Sequence, residues 1–438
     1  MVLRYPSCQM GLVVIILSWL AVPLEAATLV VDQDGQASAT SCGAAQSAFS
    51  AIGAAIAAAA NGDTIVVCPG TGPYDEQVVV NKALTIRGFA QTEAIIGPAA
   101  VVANTTSLYS GAPIAALVVV TDTSATLTNL VVDGSDAGLG GSGCGAVPNL
   151  VGVFYRNASG TLSDSTVRNI RLAPGLEGCQ AGIGVFAQSG GGGQSNLVVD
   201  GVSVRGFQKN GIVGNETGTT ITVKNSVVQG DPPNNVAVQN GVQIGFGATG
   251  TITENRILEL IYSPCTHPYE PGGGCDTGAS FGVIVFDAGD GLQISSNTIG
   301  NTQVGVYIGG GIIGPGTHGT EVVSNLVAAT HVFHGIVIVG GGNTVNKNII
   351  TSSDGVGVFL SGDANLVISN RIQEAMIGVW DFSGVGNSYP TSGARPNRII
   401  NVTLPTAGGS LASLAARSSS SDAKKPAPMA PLARPGRF

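Results

Sequence analysis

The chain has 438 residues, 65 of them Gly; 44% are hydrophobic, 5% aromatic and 11% charged, and the formal net charge is −8. The apolar content excludes disorder for the body, Gly without a three-residue period excludes collagen, and the acidic balance excludes a nucleic-acid partner, which needs a basic footprint. Sparse charge with abundant Gly, Val, Ile, Asn and Thr implies an all-β body rich in tight turns.

Residues 1–27 read as a signal peptide: Arg4, an apolar run from Gly11 to Val22, and small residues for cleavage near Ala26 or Ala27. The run is shorter than the about 20 residues of a membrane span, and no later segment could cross as a helix. The mature chain is therefore expected outside the cytoplasm (secreted, periplasmic or at the cell surface), as a monomer with no transmembrane segment. Cys8 lies in the signal, which leaves Cys42, Cys68, Cys144, Cys179, Cys265 and Cys275. An even count in an exported chain implies three disulfides, and no Cys/His spacing suits zinc.

Residues 28–403 form the body. The Ala-rich run from Ala44 to Ala60 carries Phe49, Ile52 and Ile56 at helical spacing and ends at Asn61-Gly62. It predicts an N-terminal α-helical cap over about 44–60, covering the strand edges of the first coil. Cys42 precedes this helix and Cys68 follows it, so the two are read as its staple. Strands follow at 64–68, 77–80 and 84–87.

In this stretch the chain resembles a known superfamily. Asn61-Gly62-Asp63-Thr64-Ile65-Val66-Val67, Pro69-Gly70-Thr71, Tyr74-Asp75-Glu76-Gln77-Val78 and Lys82-Ala83-Leu84-Thr85-Ile86-Arg87-Gly88 look like the entry coils of the pectin lyase-like superfamily. Its pectin methylesterases carry a similar Gly-x-Tyr-x-Glu entry, without the extra residues found here. The resemblance covers 43 to about 97 and implies a right-handed, single-stranded parallel β-helix, a solenoid of stacked coils.

Beyond the entry, repeats carry the reading. A Gly-apolar strand recurs at Gly152-Val153, Gly184-Val185, Gly211-Ile212, Gly241-Val242, Gly282-Val283, Gly305-Val306, Gly335-Ile336, Gly357-Val358 and Gly378-Val379. About 22 residues make a minimal coil, and longer intervals mean insertions at turns. Between these strands an Asn follows an apolar strand at Asn225, Asn255, Asn297, Asn325, Asn348 and Asn370. Asn tolerates left-handed backbone, and its amide can bond the next Asn along a stack. These six are read as a structural ladder.

The insertions fall before the Gly-apolar strands. Stacking places the loop 137–150 beside the loop 172–182, which predicts Cys144–Cys179; Cys265 and Cys275 would close the loop 263–280 on itself. From Leu404 to Phe438 the chain is Ser-, Ala- and Pro-rich and reads as a disordered tail. Its Arg417, Lys424, Lys425, Arg434 and Arg437 outnumber Asp422, so the acidic excess sits in the body. Asn104, Asn157, Asn215 and Asn401 fit Asn-x-Ser/Thr.

Alternation along strands puts Val153 and its equivalents inward and the next residues outward: Phe154, Phe186, Val213, Gln243, Ile284, Tyr307, Val337, Phe359 and Trp380. Overhanging loops could pack on this apolar stripe, or it could stack sugar rings, with Tyr307, Phe359 and Trp380 left open. The resemblance implies that this face is the substrate cleft of polysaccharide lyases, hydrolases and esterases. Candidate catalytic residues by position are Asp287, His334 and Asp381, with Asp290, His331 and Asp354 nearby; His267 and Glu270 on the disulfide loop are candidate binding residues. Asp and His at turns also commonly cap backbone groups. The Asp-His and Arg-x-Pro-x-x-Arg motifs of pectate lyases are absent, as are the Asn-Thr-Asp, Gly-His-Gly and Arg-Ile-Lys motifs of pectin hydrolases and the Gln-Asp-Thr-Leu segment of the methylesterases. Two classes therefore stay open. One is a carbohydrate-recognising or carbohydrate-active protein, of polysaccharide lyase or glycoside hydrolase type; the other is a non-catalytic surface or adhesive protein. The expected partner is a polysaccharide or cell-surface glycan. No cofactor is expected except calcium, which would bridge the acidic body to an anionic sugar.

Overall fold

The computed structural model describes residues 26–38, 42–89, 93–231, 234–265, 278–310 and 316–409. The expected signal peptide lies outside them. One coil shows the plan: Asn149–Arg156, Ser159–Ser163 and Thr166–Arg168 are three strands separated by tight turns. The next coil repeats it with Ile183–Gln188, Ser195–Asp200 and Ser203–Arg205, each pairing in parallel with its predecessor. Iteration builds a parallel β-helix, taken as right-handed, the hand of nearly all parallel crossovers. Among the described residues its strands form one sheet of 12 and one of 20. In later coils two strands fuse into continuous ones: Thr298–Gly309, Leu326–Ile338, Ile349–Leu360 and Arg371–Asp381.

Register confirms the repeat. Val153, Val185, Ile212, Val242, Val283, Val306, Ile336, Val358 and Val379 stack in one inward column, all at 0% exposure. The Gly before each one is a steric requirement. A Cβ on Gly282 would come within 2.6 Å of the Gly305 carbonyl oxygen, and one on Gly305 within 2.5 Å of that of Gly335. Only a residue without Cβ lets successive backbones approach this closely at the bend.

The Asn ladder exists with altered membership. Asn255, Asn297, Asn325 and Asn348 each donate an Nδ2–H to the Oδ1 of the next ladder Asn, at 2.9–3.0 Å, and Asn370 donates to Asn397 at 2.9 Å. Asn225 stands outside it. Its side chain is exposed and bonds Asp200 at 2.8 Å. The left-handed residues at this corner are those preceding the ladder: Glu254, Ser296, Ser324, Lys347 and Ser369. The Asn is there for its amide.

Both described disulfides form as expected, Cys42–Cys68 and Cys144–Cys179, with Cα–Cα distances of 5.4 and 5.3 Å. Cys265 is buried and disulfide-bonded; Cys275 lies outside the described residues. The cap expectation needs correction. The helix spans only Ile52–Ala58, seven residues. Upstream, Gln46–Ser47 pairs with Gln36–Ala37, and Phe49 bridges Val31. An Ala-rich run this short gains more from strand pairing than from helix propensity. The helix ends are held by distant side chains: Glu76 accepts from the Ile52 and Gly53 N–H groups, and the Lys82 ammonium donates to the Ile56, Ala57 and Ala59 carbonyls. The boundary expected at 403/404 also moves, because Leu404–Gly408 is a strand paired with Ile377–Asp381. No helix among the described residues is long and apolar enough to cross a membrane.

One buried charge stands out. Lys209 is 3% exposed, and its ammonium donates to the Val238 carbonyl at 2.8 Å. Burial pushes its pKa down to about 8 from 10.5. Between those values the unfolded chain binds the proton and the folded chain does not, so stability rises with pH across that window. Unfolding titrations of the wild type and Lys209→Met should differ by about 3 kcal/mol less at pH 10.5 than at pH 7.5 in the sense unfavourable to the lysine. A pH-independent difference would refute this account.

Candidate active-site cleft

The site is built from turns. Gln188, Asn215, Gly245, Phe286 and Gly309 end successive strands in register, so the residues that follow them stack along the solenoid: Ser189, Glu216, Phe246, Asp287 and Gly310. Glu216, Phe246 and Asp287 take left-handed backbone, with φ of 77°, 56° and 46°. These corners open a cleft of about 740 Å³ lined by Ser189–Gly192, Glu216, Phe246, Asp287, Asp290 and His318, with Leu108 and Tyr109 on its lip. It crosses five consecutive turns, a length of about 19 Å at the usual strand spacing.

The lip comes from the segment 97–112. It is tied to the body where the Leu108 N–H donates to Gln188 Oε1 at 2.8 Å and Arg156 Nε–H donates to the Thr106 carbonyl at 3.1 Å. Beside the lip runs the glycine stretch 190–193, where a Cβ on Gly190 would come within 2.6 Å of Leu108 Cβ; it is bracketed by Asn157, whose amide both accepts from and donates to Gly190. Glu216 is held from below. Its N–H bonds the Gly245 carbonyl at 3.1 Å, and Thr219 Oγ1–H donates to the Asn215 carbonyl at 2.7 Å. Asn215 Oδ1 in turn accepts from Gln243 Nε2 at 3.2 Å.

Asp287 reaches across to the next coil. A Cβ on Gly310 would lie 2.2 Å from Asp287 Oδ1, so glycine there makes room for the carboxylate. The phenol of Tyr307, 7% exposed, sits against the same corner. Burial and then the Asp287 charge push its pKa up to about 12, so it stays protonated beside the carboxylate at neutral pH. His318 Nδ1 lies 2.9 Å from the Gly341 carbonyl oxygen. A carbonyl only accepts, so Nδ1 carries a proton in this contact.

Of the expected site residues, Asp287 lies in this cleft, and Asp290 with it. The other described ones do not converge on it. His334 is 0% exposed; its Nδ1 accepts from the Val356 N–H at 3.2 Å, and its ring stacks on Phe359 at 5.4 Å. Asp381 is four coil steps, about 19 Å, from Asp287, and its Oδ1 accepts from Gly384 N and Asn387 Nδ2, as a turn-capping carboxylate does. Tyr307, Phe359 and Trp380 were to be open stacking faces, but they are 7%, 3% and 2% exposed within one apolar cluster. The outward stripe is a second packing layer because other parts of the chain cover it. His267 and Glu270 lie outside the described residues, as do the side chains of His331 and Asp354. Among the described residues no group of three or more His, Cys, Asp or Glu side chains is placed to share a metal ion.

Sequence reading missed Glu216, His318 and Tyr109. Glu216 sits inside Asn215-Glu216-Thr217, which suggests glycosylation, yet Asn215 is 0% exposed. A signal was present, since Glu216 follows Gly211 in its repeat at the same distance as Asp287 follows Gly282.

No protein-family model and no curated protein matches the chain. Among solved structures it is similar to the periplasmic alginate epimerase AlgG, at 13% identity over 78% of this chain and 77% of that one with a TM-score of 0.48. Pectate lyase Pel9A gives 12% identity, 85% and 79% coverage and a TM-score of 0.41. DFA-IIIase from Arthrobacter chlorophenolicus A6 gives 13%, 91% of each chain and 0.46. The likeness is one of fold and carries no activity to this chain.

Proposed function

We propose that the cleft hydrolyses a glycosidic bond in an extended glycan outside the cytoplasm, with Glu216 and Asp287 as the working carboxylates. The observation that carries this reading is their placement. Both project from equivalent corners into one open cleft, two coil steps apart, with Phe246 between them. Two strand spacings set the two backbones about 9.5 Å apart, the upper end of the about 6.5–9.5 Å at which the carboxyl groups of an inverting pair admit a water. One would protonate the leaving oxygen and the other would activate that water. Buried Tyr307 lies close enough to Asp287 to feel its charge, and His318, which lines the same cleft, can hydrogen-bond a sugar hydroxyl through Nε2. The two disulfides support an exported chain. The short helix Ile52–Ala58, with Ile52 and Ile56 in the core, is read as closing the first coils.

The test is incubation with a panel of plant and microbial polysaccharides, measuring new reducing ends and the anomer first released. Release with inversion supports the reading. Retention of configuration would sink the assignment of this pair, and binding without cleavage would favour the non-catalytic class.

A further inference from the structure

We infer that the cleft accepts an uncharged glycan and rejects polyuronates, with Tyr109 as the aromatic subsite at its lip. The inference rests on the cleft as the glycan site and concerns which glycan enters. Among the described residues three carboxylates line it, Glu216, Asp287 and Asp290, and no Lys or Arg does. A chain bearing a carboxylate on each sugar would bring like charges together in a partly dehydrated groove, and an unpaired charge there is strongly disfavoured. Recognition of a uronate normally uses Arg, which matches carboxylate geometry in a bidentate manner. Arg156, which reaches the lip segment, is committed to Thr106 and Asp122. A bridging cation has no preassembled seat among the described residues.

Tyr109 supplies the apolar contact that a neutral sugar needs. Tyr109 is 52% exposed and, among the described residues, is the one aromatic lining the cleft that is open to solvent. The backbone beneath it is fixed, since the Tyr109 and Ser110 N–H groups both donate to Ser107 Oγ at 3.2 Å. An aromatic face held at a cleft mouth stacks on the C–H face of a pyranose or furanose ring without regard to charge. In the same cleft, Gly191 and Gly192 have open space where a Cβ would stand, so a chain can lie directly against backbone.

The experiment uses the full chain in affinity electrophoresis and calorimetry. The neutral probes are arabinan, xylan, galactan and β-glucan; the anionic probes are polygalacturonate and alginate. Measurements run at about 10 mM salt, where charges act over about 30 Å, and again at 150 mM. Expected is retention by at least one neutral chain, independent of salt, with neither anionic chain bound at low salt. Tyr109→Ala should weaken the neutral interaction about three- to tenfold. The double variant Glu216→Gln/Asp287→Asn should gain affinity for the anionic chains. Binding of an anionic chain at low salt as tight as any neutral one, failure to bind every neutral chain, or indifference to Tyr109→Ala would each overturn the inference. The hydrolase reading fails separately, when a neutral chain binds as described and no reducing ends appear.

Discussion

Asp287→Asn and Glu216→Gln should each lower kcat by about 10²- to 10⁴-fold, the contribution of a positioned acid or base, with KM changed far less. The physical basis is that each substitution keeps shape and removes the ability to exchange a proton. The Asp287 corner is braced by backbone and by Thr317: the Asp287 N–H donates to the Gly309 carbonyl at 3.0 Å, its carbonyl accepts from Gly247 N at 2.7 Å, and Thr317 Oγ1 accepts from Ala288 N at 3.2 Å. The amide variant should therefore fold normally, which near-ultraviolet dichroism will check. By contrast His334→Gln should act through stability, because its ring is wholly enclosed. Asp381→Asn should leave kcat within about twofold, as expected away from reacting atoms. Equal losses at Asp287, His334 and Asp381 would place the chemistry outside this cleft.

Asn325→Ala should destabilise the solenoid by roughly 3–6 kcal/mol, the cost of several stranded buried groups at about 1–3 kcal/mol each. Asn325 Oδ1 accepts from both the backbone N–H and the Nδ2 of Asn297 at 2.9 Å; its Nδ2 donates to Asn348 Oδ1 at 3.0 Å and to the Ile294 carbonyl at 2.8 Å. Alanine leaves the Asn297 donors and the Ile294 carbonyl enclosed without partners, and the loss propagates along a polarised chain of amides. Asn225→Ala is the matched control. Its side chain is exposed and makes one bond to Asp200, so its change should stay below about 1 kcal/mol. Denaturant unfolding of both variants decides the point, and equal effects would remove the ladder as a source of stability. Since each coil contacts chiefly its neighbours, the loss should also lower cooperativity.

Stacking was legible in the sequence because it depends on local pattern. A Gly where backbones touch and an inward Val or Ile beside it recur from Gly152 to Val379, and an Asn joins them at the corner from Asn255 onward; each is required by contacts with the coil before and after. Disulfide partners followed from the same logic, as neighbouring coils bring Cys144 and Cys179 together. The site was only half legible. Asp287 could be found by its place after a repeat strand, and the same rule applied to Gly211 points to Glu216. What the pattern could not supply was the covering of the outward stripe, which buries Tyr307, Phe359 and Trp380, or the fate of His334, whose enclosure depends on Phe359 one coil away. The segment 97–112 carries no repeat, yet it brings Tyr109 to a cleft whose other walls lie far along the chain. Local sequence thus determined the coil, because each coil's geometry is set by its own turns and strand alternation. Tertiary structure alone decided which corners stay open, because insertions of unequal length fold across the stack and their resting place depends on what they bury.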